Sequence, residues 1–178
     1  GNPKAFTSLL KKHGVTVVHV VSSSKFAIKA QEAGCDAVVA EGFEAGGHNG
    51  KEETTTMVLV PAVCSSVTIP VIAAGGIASG RQILSAMILG AEGVQIGSRF
   101  VASNEASVHP NFKAAVIKAN EGDTMLTLKQ LTPVRLIKNQ FFNEVQEAEQ
   151  NCVSSGELRI LLGKGRAKRG MFEGDLDQ

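Results

Sequence analysis

Along the first hundred residues, short continuous apolar runs alternate with longer segments whose apolar positions recur at helical spacing. Val15 to Val21 is a β-branched run ending in Ser22-Ser23-Ser24, and the Lys25 to Ala33 segment after it reads as a helix with Gly34 as C-cap. Asp36 to Ala40 is a second run. It opens into the glycine-rich loop Glu41-Gly-Phe-Glu-Ala-Gly-Gly-His-Asn-Gly50, with a helix expected around Thr56 to Ser66. Val71 to Ala74 is a third run, ending at Gly75-Gly76. Ser79 is placed to N-cap the next helix and Gly90 to close it, with Ile83, Ala86 and Met87 as its core face. A fourth run, Gly93 to Ile96, ends at Gly97-Ser98-Arg99-Phe100 and leads into another helical stretch.

Four β-then-α units in a row predict parallel strands buried on both faces, the α/β pattern common to barrels and doubly wound sheets. The consecutive glycine-bearing strand ends, Gly75-Gly76 and Gly97-Ser98, favour the barrel. In that fold the loops after strands 7 and 8 often bind phosphate beside a helix N-terminus, where backbone N–H groups and the helix dipole converge. Residues 1–103 are then expected to be the C-terminal half, about strands 5 to 8, of a (β/α)8 TIM barrel. A whole barrel takes about 250 residues, and residue 1 is Gly rather than Met, so an N-terminal truncation is expected. Residues 104–178 are more polar and are broken by Pro110 and Pro133; they are expected to form a helical extension or lid, incomplete at its C-terminus. Within it, Gly163-Lys-Gly-Arg-Ala-Lys-Arg-Gly170 lacks the preceding strand that a phosphate loop needs and reads as a solvated turn.

Composition narrows the ligand class. A 43% hydrophobic, 20% charged chain with net charge +1 and scattered Lys and Arg gives no reason to expect nucleic acid or an anionic membrane as partner. No apolar run approaches the roughly 20 residues that span a bilayer. Cys35, Cys64 and Cys152 lie far apart, which indicates neither a metal site nor a disulfide scaffold, and they read as small core residues of a cytoplasmic protein. A small-molecule ligand is the expectation that remains.

The loop after the second run carries the strongest chemical signal, because it presents one imidazole among glycines where a barrel has its active-site face. A histidine with an ordinary pKa of about 6.5 exchanges protons near neutral pH. His48 therefore reads either as a proton-transfer group or as a residue that merely caps a loop. Glu41 and Glu44 are formally an acid–base pair, but each has a plainer reading: Glu41 accepting loop N–H groups, Glu44 exposed. His13, His19 and His109 lack such surroundings. No Ser, His and Asp set stands at strand ends, so a redox cofactor is favoured over covalent hydrolysis.

Glu41 to Gly50, Val71-Ile-Ala-Ala-Gly-Gly-Ile77 and Gly90-Ala-Glu-Gly-Val-Gln-Ile-Gly-Ser-Arg-Phe100 together resemble the signature of the nitronate monooxygenase (2-nitropropane dioxygenase) family, which includes the FMN-dependent enoyl-ACP reductases. The resemblance continues through Glu105 to Lys113, Arg135 to Gln140 and Glu173 to Asp177, blocks that are more reductase-like, and Gly1-Asn-Pro3 resembles the segment after strand 4. It implies that Gly75, Gly76, Gly97 and Ser98 bind the FMN phosphate, that Gln95 and Gly47 lie near the cofactor, and that His48 is the active-site histidine, facing the same mouth. It further implies NAD(P)H as co-substrate, an enoyl thioester possibly carried on acyl carrier protein, and a homo-oligomer. The alternatives are nitronate oxidation with O2 and a noncatalytic phosphate-binding barrel.

Overall fold

The computed structural model describes residues 1–177. Among the described residues the elements run α1 (Thr7–Lys12), β1 (Val18–Val21), α2 (Ser24–Glu32), β2 (Ala37–Glu41), β3 (Gly47–His48), α3 (Thr56–Cys64), β4 (Val71–Ala74), α4 (Gly80–Ile88), β5 (Gly93–Gln95), α5 (Ser98–Val101), α6 (Pro110–Lys118), β6 (Thr124–Thr127), β7 (Val134–Ile137), α7 (Gln140–Gln150), α8 (Ser155–Leu162) and α9 (Arg166–Lys168). They form two compact units. The first comprises Gly1–Ala45 and Glu52–Ile96, the second Gly46–Lys51 and the residues from Gly97 on. Among the described residues, no helix is long and apolar enough to cross a membrane.

The first unit is built on a parallel sheet of order β1-β2-β4-β5, which realises the four expected apolar runs as an α/β fold. In β2, Val38 and Ala40 are fully buried and Val39 nearly so, as expected of a strand covered on both faces. Val38, Ala40, Val71 and Ala73 share one core with Ala27 and Ala30 of α2, with Leu59, Val60 and Val63 of α3, and with Ala86 of α4. Ser79 starts α4 as expected, its Oγ accepting from the Gln82 N–H, and Ser23 starts α2 in the same way, its Oγ accepting from the Phe26 N–H. One core assignment is corrected. Ile83 and Ala86 face the sheet, but Met87 is about half exposed, because the contact stripe of α4 runs through positions 83 and 86 and leaves position 87 on its flank.

Where a helical extension or lid is expected, the second unit combines helices with an antiparallel sheet of order β3-β7-β6. Its core joins Leu128, Phe141 and Val145 to Leu158. Glu149 on α7 secures the end of β6: its carboxylate accepts from Thr127 Oγ at 2.6 Å and from the Leu128 N–H at 2.9 Å, which holds Leu128 at φ 58°. Ser154 and Glu157 form a reciprocal capping box at the start of α8. The basic stretch is more structured than a solvated turn. The Arg166 guanidinium lies 4.0 Å from the Phe141 ring and donates to the Leu161 and Leu162 carbonyls that end α8. Of the cysteines, Cys35 is buried and Cys64 partly so, whereas Cys152 is exposed rather than a core residue; the Asn151–Cys152 turn at the end of α7 holds it at φ 52°.

Candidate functional site

The predicted site residues divide between the two units: Gly75, Gly76 and Gln95 lie in the first, and Gly47, His48, Gly97 and Ser98 in the second.

In the first unit the ends of β2 and β4 are tied into one knot. The Gly42 N–H donates to the Ala74 carbonyl at 2.9 Å. Glu44 is not the exposed residue expected from the sequence. Its carboxylate oxygens accept the Thr56 N–H at 3.2 and 3.0 Å, so the carboxylate satisfies an N–H at the first position of α3 that has no acceptor within the helix, at the end where the dipole favours negative charge. Thr56 Oγ lies 2.9 Å from Glu44 Oε2, 3.0 Å from the Gly75 carbonyl and 3.3 Å from that of Ala74, and its one proton is shared among them. Gly75 and Gly76 follow at φ 102° and 67°, left-handed backbone that glycine adopts without the Cβ penalty. A Cβ on Gly75 would stand 2.8 Å from the Gly42 carbonyl oxygen and from Thr56 Oγ.

Beyond the turn, Gln82 is held at both ends of its amide. Its Oε1 accepts from the Ala78 N–H and Ser79 Oγ, each at 2.9 Å, and its Nε2 donates to the Gly76 carbonyl at 2.7 Å. Gln95 is exposed and sits in register with Ala74, which pairs on its other side with Glu41. Paired residues share a face, so Glu41, Ala74 and Gln95 form one row at the C-terminal edge of the sheet.

Burial pushes the Glu41 carboxyl above its ordinary range. The folded chain therefore holds this proton more tightly than the unfolded chain does. The group's stabilisation is present at low pH and is lost as pH rises through the folded-state pKa. Glu41→Gln is expected to raise the urea midpoint relative to the parent at pH 7 and to leave it nearly unchanged near pH 4. An equal shift at both pH values would mean that the ionised form carries no burial cost.

In the second unit, β3 places Gly47 opposite Arg135 and His48 opposite Val134. The next residue anchors the strand. The Asn49 N–H donates to the Pro133 carbonyl at 2.8 Å and its Nδ2 to the Gly47 carbonyl at 3.1 Å. The His48 ring is exposed and makes no hydrogen bond to the chain among the described residues, so it caps no loop there. A fixed backbone with an uncommitted imidazole suits exchange of a proton with an outside group. Gly97 precedes α5 and Ser98 begins it, both exposed, with open space where a Gly97 Cβ would stand. The other histidines have local roles or surroundings: the Nδ1 of His13 lies 2.8 Å from the Leu9 carbonyl, His109 caps α6, and partial burial lowers the pKa of His19.

The sequence reading missed Thr56 and Gln82, and it misassigned Glu44. Only the run Thr54-Thr55-Thr56 ahead of an apolar helix hinted at a helix start that an acid could cap.

The nitronate monooxygenase family model matches residues 1–178. The chain belongs to the nitronate monooxygenase family. A probable nitronate monooxygenase of Staphylococcus saprophyticus is 39% identical over 178 residues, 89% of this chain and 50% of that protein. Among solved structures, FabK from Thermotoga maritima, an enoyl-ACP reductase II, is 46% identical with TM-score 0.88 over 99% of this chain and 56% of its own. Nitroalkane oxidase from Streptomyces ansochromogenes is 31% identical with TM-score 0.71, over 79% of this chain and 44% of its own. The chain thus spans about half the length of the relatives it matches, within an oxidoreductase family.

Proposed function

We propose that this chain is the phosphate-binding and proton-handling part of an FMN-dependent oxidoreductase that reduces enoyl-ACP with NAD(P)H. The observation that carries this choice is the similarity to FabK, at 46% identity over 99% of the chain, against 31% over 79% for nitroalkane oxidase. On this reading β1, β2, β4 and β5 are strands 5 to 8 of a (β/α)8 barrel and the segment from residue 104 is its extension. The protein acts in the cytoplasm as a homo-oligomer that accepts substrate on acyl carrier protein.

The residues present suit the cofactor. Two consecutive left-handed glycines end a parallel strand, with a Cβ-free approach at Gly75 and Gly76 and both carbonyls engaged by side chains; such backbone is suited to a phosphate. Gly75 and Gly76, with Gly97 and Ser98, would hold the FMN phosphate, and Gln95 and Gly47 would lie near the cofactor. When bound, FMN supplies hydride transfer between NAD(P)H and substrate. Reducing a double bond conjugated to a thioester adds a hydride at one carbon and a proton at its neighbour. His48 would orient the substrate and provide that proton.

A second reading, oxidation of alkyl nitronates with O2, is supported by the family model and by the names of the curated relatives. There His48 would act as a base toward an acidic carbon-bound proton. Steady-state turnover of the full-length protein separates the two. Oxidation of NADH or NADPH dependent on a crotonyl thioester, with little consumption of O2 on propyl nitronate, is expected; the converse pattern would establish the second reading in place of the first.

A further inference from the structure

We propose that Thr56 and Gln82 are positioning residues that set the affinity of this protein for the phosphate of its flavin. The inference rests on the FMN reading above and adds to it two residues that do not themselves touch the ligand.

In a trans peptide the carbonyl and the N–H of the following residue point in opposite directions, and none of the peptide bonds among the described residues is cis. A donor that holds the Gly75 carbonyl therefore aims the Gly76 N–H the other way, and one that holds the Gly76 carbonyl does the same for Ile77. Thr56 Oγ engages the Gly75 carbonyl at 3.0 Å, and Gln82 Nε2 engages the Gly76 carbonyl at 2.7 Å. Two successive carbonyls are thus pinned from two separate helices, α3 and α4.

Each pin is itself held. Thr56 is fixed by Glu44, whose carboxylate accepts its backbone N–H. Gln82 is fixed by the Ala78 N–H and the Ser79 hydroxyl. Without these donors the turn at Gly75-Gly76 would retain the conformational freedom of two glycines, and binding an anion would have to offset the ordering of both. With them, the N–H groups of Gly76 and Ile77 are oriented in advance, as in the backbone concavities that bind anions.

The test compares two ligands that share a ring system and differ in the phosphate. Dissociation constants of the full-length apoprotein for FMN and riboflavin are measured by flavin fluorescence. The parent is expected to prefer FMN. Thr56→Val and Gln82→Met are each expected to weaken FMN by about tenfold and riboflavin by less than about threefold, while Thr56→Ser keeps the parent values. Loss of fold or of overall packing would weaken both flavins together, so the ratio isolates the positioning role. Gln82 is exposed, so its variant decides the matter should Thr56→Val fail to fold. An unchanged FMN-to-riboflavin ratio in the folded variants overturns the inference and leaves the FMN site standing. A parent that does not discriminate between the two flavins overturns the phosphate assignment itself.

Discussion

His48→Ala is expected to lower turnover of the full-length protein by roughly 10²- to 10⁴-fold, the range typical of general acid–base groups, while leaving FMN bound. The first half of this expectation follows from where the residue sits. β3 fixes its backbone against Val134, Asn49 anchors the following peptide to Pro133, and the ring is exposed with no hydrogen bond to the chain among the described residues. Removing such a ring disturbs little of the fold and takes away an imidazole with no partner in the chain among the described residues. Retention of flavin follows from the assignment of the phosphate to backbone at Gly75, Gly76, Gly97 and Ser98, which the substitution does not touch. Turnover and flavin absorbance measured on one preparation separate the possibilities. A loss of activity below about threefold would remove His48 from the mechanism, and loss of the flavin would make it a binding residue.

What could be read from the sequence follows from how far apart the interacting residues lie. The parallel strands were legible because Val38 to Ala40 and Val71 to Ala74 are continuous apolar runs, a pattern that burial on both faces imposes locally. The serine cap at Ser79 was legible for the same reason, since donor and acceptor are three residues apart. The sheet of the second unit was not. β6 and β7 are four residues each, too short to show a period, and their third strand is the pair Gly47–His48, contributed from a distant part of the chain. Glu44 was misread because a carboxylate in a glycine-rich loop gives no sign, at close range, of the helix start twelve residues on that it caps. Gln82 occupies a helical position where a polar residue ordinarily faces water, so only coordinates link its amide to the Gly76 carbonyl.

The knot around Thr56 makes a further expectation about stability. Gly42 is buried, and its constraint is one of space rather than of backbone conformation: a Cβ there would overlap the Thr56 hydroxyl and stand 2.5 Å from the Thr56 nitrogen and 2.7 Å from Glu44 Oε2. None of the three can move aside independently, because the nitrogen belongs to the first turn of α3, Glu44 is its acceptor, and the hydroxyl also reaches Gly75. Gly42→Ala is therefore expected to cost about 3 kcal/mol, at the upper end of ordinary overpacking. At about 2–4 °C per kcal/mol for a domain of this size, the melting temperature should fall by roughly 10 °C. The control is Gly46→Ala, four residues along the same loop, where a Cβ meets nothing within 4 Å; its effect should stay within about 0.5 kcal/mol. Thermal unfolding of both variants beside the parent gives the comparison. Equal melting temperatures for the two would mean that the loop yields easily around position 42, and the rigidity inferred for the Glu44–Thr56–Gly75 contacts would be lost with it.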